Sequence, residues 1–183
     1  MTICPGAPNA APCDNDDMAV TTHSALPQSS PLVPYRERRA YTDAYSLDMP
    51  FAVSLADYLA AFYTTPLFKL ERLVLTCIGK PSSDAGAHAL AYDESRRFAA
   101  WTVEARTDNQ IVMCDFMSKT RSWLMCEPIE GGTRLWFGSA IVPKRITAGG
   151  RVDLGLFFHL LLPFHRVYSV ALLASAAGRV QRR

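Results

Sequence analysis

Residues 96–144 hold four short runs of strand-forming residues, and a turn signal separates each run from the next. The runs read RRFAAWTVEARTD, NQIVMCDFM, TRSWLMCEPI and TRLWFGSAIVPK. The pairs Asp108–Asn109, Ser118–Lys119 and Gly131–Gly132 stand between them and are typical of tight turns. Strands joined this closely pair antiparallel, because a parallel pair needs a long crossover. The sequence therefore predicts an antiparallel meander.

Alternate residues of the first run differ in polarity, which predicts a strand with one face on the core and one in water. The predicted core face carries Ala99, Trp101, Val103 and Ala105, opposite Thr102, Glu104 and Arg106. Trp123 and Trp136 fit either face of their strands, because charged residues share or flank their positions.

A first strand in RRAYTDAYSLDMP and two short helices precede the meander. Ser54 caps the first helix, with Asp57 in its first turn. Pro66 begins the second helix, and Gly79 ends it. The segment PSSDAGAHALAYDES, which contains His88, is predicted to be a loop. The buried face of the second helix is predicted to carry Leu67, Leu70, Leu73 and Val74.

Residues 155–178, GLFFHLLLPFHRVYSVALLASAAG, are the most apolar stretch of the chain. His159, Pro163, His165 and Arg166 interrupt it near its middle, so it does not fit a membrane span. We expect an amphipathic helix that lies on the core side of the sheet and closes at Gly178. Helical spacing puts His159 and Arg166 on the outer side and predicts a buried stripe of Phe157, Leu161, Phe164, Tyr168 and Ala171.

Residues 1–34 are rich in Pro, Ala, Ser and Thr and contain no Lys or Arg. A segment of this composition buries too little apolar surface to offset its chain entropy. The sequence predicts a disordered tail over residues 1–34, whose deletion leaves the fold intact, and one domain over residues 35–183.

Composition excludes several classes of function. The net charge is only +2, and no basic stripe typical of nucleic-acid binding is present. The five cysteines, at positions 4, 13, 77, 114 and 126, match no zinc pattern, and no cofactor motif occurs. The N-terminus lacks the features of a secretory signal. We expect a cytoplasmic protein without metal or cofactor, and the sequence leaves its oligomeric state open.

The predicted order is strand, two short helices, four strands and a long final helix. This is the α+β helix-grip arrangement, in which an antiparallel sheet curls around the C-terminal helix. The segments DFMSKTRSWL, GGTRLWFGSAIVP and LLLPFHRVYSVALLASAA resemble an uncharacterised bacterial family. That family is similar to the START-like superfamily of polyketide cyclases, lipid-transfer proteins and hydrophobic-ligand binders. The resemblance covers about residues 40–180 and implies an apolar cavity, but no particular reaction.

Two residues are candidates for catalysis. Tyr168 lies on the predicted buried stripe, where its phenol needs a hydrogen-bond partner, either a strand carbonyl or a ligand in a cavity. Asp115 ends an apolar strand beside a turn, where a carboxylate caps the turn or pairs with Arg121, or alternatively acts as an acid at the mouth of a pocket.

The resemblance and the strand pattern together predict a ligand site between the sheet and the final helix. Its expected members are Trp101, Val103, Met113, Phe164, His165 and Tyr168. His159 and His165 are six residues apart on a helix, so they do not form a two-ligand metal face.

The leading hypothesis is the binding of a small hydrophobic molecule, such as a lipid, an isoprenoid or a polyketide-like ring. The first alternative is an enzyme of cyclase or dehydratase type that works in the same cavity. A further alternative is a peripheral membrane or interaction protein that inserts GLFFHLLLP. The sequence leaves open whether the protein is an enzyme.

Overall fold

Residues 19–143, 145–146, 152–153 and 156–182 are described by a computed structural model, apart from the side chains of residues 145–146, 152–153 and 156–161. The strands are β1 (Thr21–His23), β2 (Tyr41–Met49), β3 (Arg97–Phe98), β4 (Trp101–Arg106), β5 (Gln110–Asp115), β6 (Thr120–Ile129), β7 (Gly132–Ile141), β8 (Arg145–Ile146) and β9 (Val152–Asp153). The helices are α1 (Val33–Glu37), α2 (Leu55–Tyr63), α3 (Pro66–Cys77), α4 (Asp84–Ala91) and α5 (Leu156–Val180).

The described strands form a seven-stranded antiparallel sheet in the order β1-β2-β7-β6-β5-β4-β3, with β8 and β9 paired separately. The predicted meander is confirmed, because β4 to β7 follow one another both in the chain and in the sheet. Strand β7 then pairs with β2, and this register places Asp43 opposite Ser139. The α+β class and the C-terminal helix are confirmed as well, and the sheet is open rather than closed into a barrel.

The predicted starts of two helices are confirmed at the level of single hydrogen bonds. The Ser54 hydroxyl accepts a hydrogen bond from the Asp57 backbone N–H at 3.1 Å. The Thr65 hydroxyl accepts one from the Phe68 N–H at 3.1 Å, and Pro66 occupies the first turn of α3. Each bond satisfies one of the N–H groups that a helix start leaves unpaired.

The predicted buried face of α3 is wrong. Leu70, Leu73 and Val74 are 60%, 63% and 60% exposed, while Phe68 is 3% exposed. The helix carries apolar residues on two sides, and the side with Phe68 is the one that meets the rings of α2. The predicted loop after α3 is also wrong, because Ser83 caps a further helix, α4, by accepting from the Gly86 N–H at 3.1 Å.

Helix α5 lies on the sheet as predicted but is rotated from the predicted phase, and it continues past Gly178 to Val180. Phe164 is 68% exposed, and Ala171 is exposed too. The prediction also placed Phe157, His159 and Leu161, whose side chains lie outside the described part of the structure. Small residues are interspersed on the buried face and allow the helix to lie close to its neighbours, an effect that a search for large apolar residues overlooks. That face carries Ser169, Leu172, Leu173, Ala176, Ala177 and Val180.

The main core lies between the sheet and helices α2, α4 and α5. A second, smaller core lies on the opposite face of the sheet, where Trp123 (0% exposed) and Trp136 (5% exposed) pack beneath Leu32. Strand β1 and helix α1 belong to this cover. The prediction of a disordered tail is therefore wrong for residues 19–34, because those residues pair with β2 and bury two tryptophans. Residues 1–18 lie outside the described part of the chain.

The alternation predicted for β4 holds only over its first half. Trp101 and Val103 face the helices, but the register shifts between Val103 and Ala105, and Ala105 is exposed. Such a β-bulge adds a residue and reverses the alternation after it. No helix in the described part of the chain combines the length and apolar character that a membrane crossing requires.

Candidate functional site

A cavity of about 140 Å³ lies between the sheet, the start of α3 and the middle of α5. Phe62, Phe68, Phe137 and Leu172 form much of its wall and belong to or adjoin the main core. Polar and charged side chains line it too, among them Glu71, Arg121 and His165, and a ligand site combines apolar surface with polar groups in this way.

Glu71 and Tyr168 form one polar contact at the cavity. The Tyr168 hydroxyl donates to Glu71 Oε2 at 2.5 Å, between residues 97 positions apart. Burial raises the pKa of Glu71, and the hydrogen bond from Tyr168 only partly opposes this. Burial and the Glu71 charge raise the pKa of Tyr168 well above its ordinary value. The phenol therefore keeps its proton at neutral pH and remains a donor to the carboxylate.

Two further donors in the wall have no acceptor within the described part of the chain. The indole Nε1 of Trp101 is buried and unpartnered there. The Tyr63 side chain is 2% exposed, lines the same cavity, and its hydroxyl makes no hydrogen bond to a described residue. Buried donors are nearly always paired in native proteins, so the Trp101 N–H calls for an explanation.

Asp43, Ser139 and His165 form a buried network on the other side of the cavity. Asp43 Oδ1 accepts from the Ser139 backbone N–H at 3.0 Å and from the Ser139 hydroxyl at 2.6 Å. His165 Nε2 lies 3.0 Å from Asp43 Oδ2 and 3.0 Å from Ser139 Oγ. Burial acts to raise the pKa of Asp43, but His165 and the two Ser139 hydrogen bonds outweigh it and hold the pKa below its ordinary value.

This network does not have the geometry of a nucleophilic triad. Asp43 is ionised at neutral pH and can only accept hydrogen bonds, so the single proton of the Ser139 hydroxyl is directed to Asp43. His165 Nε2 must then be the donor to both Ser139 and Asp43, and it is not available as a base toward the serine. A triad instead needs the carboxylate and the hydroxyl on different ring nitrogens of the histidine. The three residues tie α5 to β2 and β7.

Comparisons with family models, with curated proteins and with solved structures find no match to this chain. The candidate site is therefore argued from its own geometry.

Three of the six predicted ligand-site residues do line the cavity, namely Trp101, His165 and Tyr168. Val103 and Met113 are 6% and 0% exposed and belong to the packed core. Phe164 stacks on Tyr168 with ring centroids 6.0 Å apart, on the solvent side.

The predicted catalytic candidate Asp115 does not line the cavity. Its Oδ1 accepts from the backbone N–H groups of Lys119 and Thr120, at 2.7 and 3.0 Å. This is the turn-capping alternative that the sequence left open. The expected pairing with Arg121 does not form, because Arg121 Nε donates instead to Glu104 at 3.0 Å.

Sequence reasoning missed Glu71, Tyr63, Asp43 and Ser139. Glu71 carried one usable signal, since it is the only acidic residue within the apolar segment PLFKLERLVL, and a carboxylate there is either solvated or functional. Tyr63 resembled ordinary core filling. Asp43 and Ser139 come together only through the pairing of β2 with β7, which no local pattern reveals.

A wider cleft of about 680 Å³ opens between β1, β2 and α5, with Tyr41, Tyr45 and Arg166 on its sides. Asp43 lines this cleft as well, but its hydrogen bonds are satisfied by the protein. Because the unpartnered donors lie around the smaller cavity, we place the candidate site there. No group of three or more His, Cys, Asp or Glu side chains that could hold a metal occurs among the described residues.

Proposed function

We propose that the protein binds a small, mainly apolar molecule, about the size of one ring and carrying a carbonyl oxygen, in the cavity between the sheet, α3 and α5. The observation that carries this proposal is a pair of donors in the cavity wall: the buried and unpartnered Trp101 N–H and the Tyr63 O–H, which makes no hydrogen bond to a described residue. A ligand carbonyl supplies the acceptor that no described residue provides.

The size of the cavity narrows the class of ligand. An apolar cavity of about 150 Å³ holds one benzene molecule, and the cavity here measures about 140 Å³. Sites for larger ligands are commonly about 300–1,000 Å³. Among the candidates that the sequence raised, a single polyketide-like ring fits within this space, whereas a lipid or a long isoprenoid would extend beyond it.

The architecture supports the finer part of the fold prediction. A long C-terminal helix packed on an antiparallel sheet, with the cavity between the two, fits a START-like helix-grip protein. We therefore propose that assignment together with the binding function.

The experiment compares two ring-sized probes of nearly equal shape. Cyclohexanone carries a carbonyl oxygen, and methylenecyclohexane replaces that oxygen with a CH₂ group. Titration calorimetry or ligand-observed NMR should detect saturable, stoichiometric binding of both, with cyclohexanone the tighter. Tyr63→Phe and Trp101→Phe should each weaken cyclohexanone binding by about 0.5–1.5 kcal/mol, the net value of one hydrogen bond.

Methylenecyclohexane provides the internal control, since the same two substitutions should leave its affinity within about a factor of two, the low end of the effect of one hydrogen bond. Absence of binding by either probe to the folded protein would refute the proposed function.

The cavity-enzyme alternative is favoured by one specific observation, the partly buried contact between Glu71 and Tyr168. A carboxylate in a cavity wall is a group that transfers protons as well as one that binds.

A further inference from the structure

Glu71 is placed to act on a molecule held in the cavity. Its Oε2 accepts the hydrogen bond from Tyr168, which fixes the orientation of the carboxylate. Its second oxygen makes no hydrogen bond within the described part of the chain, and the residue lines the cavity. One carboxylate oxygen is therefore held while the other remains available.

Tyr63 and Trp101 lie around the same space as Glu71. A cavity of about 140 Å³ is only about 6 Å across if it is compact. A ring-sized ligand that fills it must contact several of its walls at once. A carbonyl oxygen directed at the two donors then leaves the carbon atoms next to the carbonyl facing the rest of the wall, which includes Glu71.

We propose that the protein catalyses proton transfer at the carbon next to the carbonyl of a small cyclic ketone or related carbonyl compound, with Glu71 as the base and Tyr63 and Trp101 as donors to the enolate oxygen. The inference rests on the proposed binding function, because it needs the ligand in this cavity. It adds a reaction, a substrate class and a role for Glu71.

The proposed step is balanced with solvent water as the only further participant. The Glu71 carboxylate removes a proton from the carbon next to the carbonyl, and the electron pair of the broken C–H bond forms the C=C bond of the enolate. The carbonyl oxygen takes the negative charge and accepts hydrogen bonds from Tyr63 and Trp101. Glu71 returns this proton to another carbon of the enolate, which is isomerisation, or first exchanges it with water and returns a solvent proton to the same carbon, which is exchange. The same enolate is what a cyclisation or dehydration begins from.

The electrostatics of the wall suit this chemistry. Burial raises the pKa of Glu71, and a carboxylate with a raised pKa is a stronger base. Burial and the Glu71 charge raise the pKa of Tyr63 well above its ordinary value, so its phenol stays protonated and donates. Donors directed at a developing oxyanion in an apolar site stabilise it more strongly than the same donors do in water.

The experiment follows deuterium exchange of cyclohexanone in D₂O at neutral pH by proton NMR, with cyclohexanone affinity measured on the same samples. The wild-type protein should accelerate exchange of the hydrogens next to the carbonyl. Glu71→Gln should reduce the acceleration by about 100-fold or more, the usual contribution of a general base, with cyclohexanone affinity changed by less than about threefold. Tyr63→Phe should also reduce it by about 100-fold.

Glu130→Gln is the matched control, because it removes a carboxylate from an exposed turn and should leave the exchange rate unchanged. Thermal unfolding verifies that each variant is folded, and Glu71→Asp, which keeps the carboxylate, should retain more activity than Glu71→Gln. If the wild-type protein binds cyclohexanone but exchanges it no faster than Glu71→Gln does, the catalytic inference is wrong and the binding function stands. If cyclohexanone does not bind at all, both proposals fail.

Discussion

Two carboxylates, the buried Asp43 and the partly buried Glu71, differ in how the protein satisfies them. Asp43 accepts two hydrogen bonds from Ser139 and contacts His165, and its pKa lies below the ordinary value. Glu71 accepts one hydrogen bond, from Tyr168, and its pKa lies above the ordinary value. The number of partners decides the direction in each case, because burial alone raises the pKa of both. Asp43 is thus a structural group, and Glu71 is the carboxylate that the proposed reaction uses as its base.

Glu71→Gln should change the pH dependence of stability. The folded state holds the Glu71 proton more tightly than the unfolded state, so the wild-type protein loses stability as pH rises from about 4.5 through the raised pKa of the folded state. Gln has no proton to lose, and its amide oxygen still accepts from Tyr168. Urea unfolding between pH 4 and 8 should therefore show that the stability of the variant increases relative to that of the wild-type protein as pH rises. A constant difference across that range would mean that Glu71 does not titrate on folding.

Asp43→Asn should have the opposite pH signature. The Asp43 carboxylate stabilises the folded state above about pH 3.8, and this contribution is lost as pH falls through the lowered pKa of the folded state. We expect the variant to be about 3 kcal/mol less stable at pH 7, as for removal of one partner from a buried pair. The difference should narrow below about pH 3.8, within the window set by the ordinary and lowered pKa values. Unfolding of both proteins at pH 7 and pH 3 tests this.

At the scale of elements, α3 is, like α5, a helix whose faces the sequence assigned wrongly. Its two apolar sides are similar in composition, and only contact with Phe62 and Tyr63 on α2 identifies the buried one. The inner side also carries Glu71, so the orientation of this helix decides whether the candidate base faces the cavity or water.

Matched truncations on the two sides of α3 should differ clearly in how much they lower the free energy of unfolding. Phe68→Ala removes a ring that is 3% exposed and should lower the free energy of unfolding by about 3–5 kcal/mol. Leu73→Ala removes a side chain that is 63% exposed and should change it by less than about 0.5 kcal/mol. Chemical denaturation of the two variants measures both values. Equal losses would show that the exposed side of α3 is covered in solution.

At the scale of the whole molecule, the sheet carries a core on each face. The N-terminal segment, residues 19–40, supplies the cover of the second one, with Leu32 fully buried against the two-tryptophan cluster. The segment also reaches across the sheet, since Arg121 Nε donates to the Tyr35 hydroxyl at 3.1 Å. A region that composition assigned to a tail is therefore part of the domain.

Deletion of residues 1–34 should lower the melting temperature markedly and shift tryptophan emission to longer wavelength, because Trp123 and Trp136 lose their cover. Leu32→Ala in the full chain should reproduce part of this effect, at about 2–5 kcal/mol, while Gln28→Ala, at an exposed position, should not. A truncated protein with unchanged melting temperature and emission would show that the segment adds nothing to stability.

The sequence by itself determined the features that depend on near neighbours. Turn residues and alternation specified the strands of the meander, and Ser54 and Pro66 specified where two helices begin. The Gly131–Gly132 turn is a clear case. Gly131 has φ +78°, and a Cβ on Gly132 would lie 1.9 Å from the Met49 carbonyl oxygen, so both positions need glycine. Signals of this kind are complete within a few residues, and they can be identified without knowledge of the rest of the fold.

Only the tertiary structure decided which faces meet, and the candidate site depends on that. Glu71 on α3 contacts Tyr168 on α5, and Asp43, Ser139 and His165 converge from β2, β7 and α5. The rotation of α5 and the cover over Trp123 were likewise set by packing. Helical or strand periodicity identifies apolar sides but not their partners. The free energy of burial depends on which surface from another part of the chain packs against each side. The cavity and its unpartnered donors are properties of that assembly.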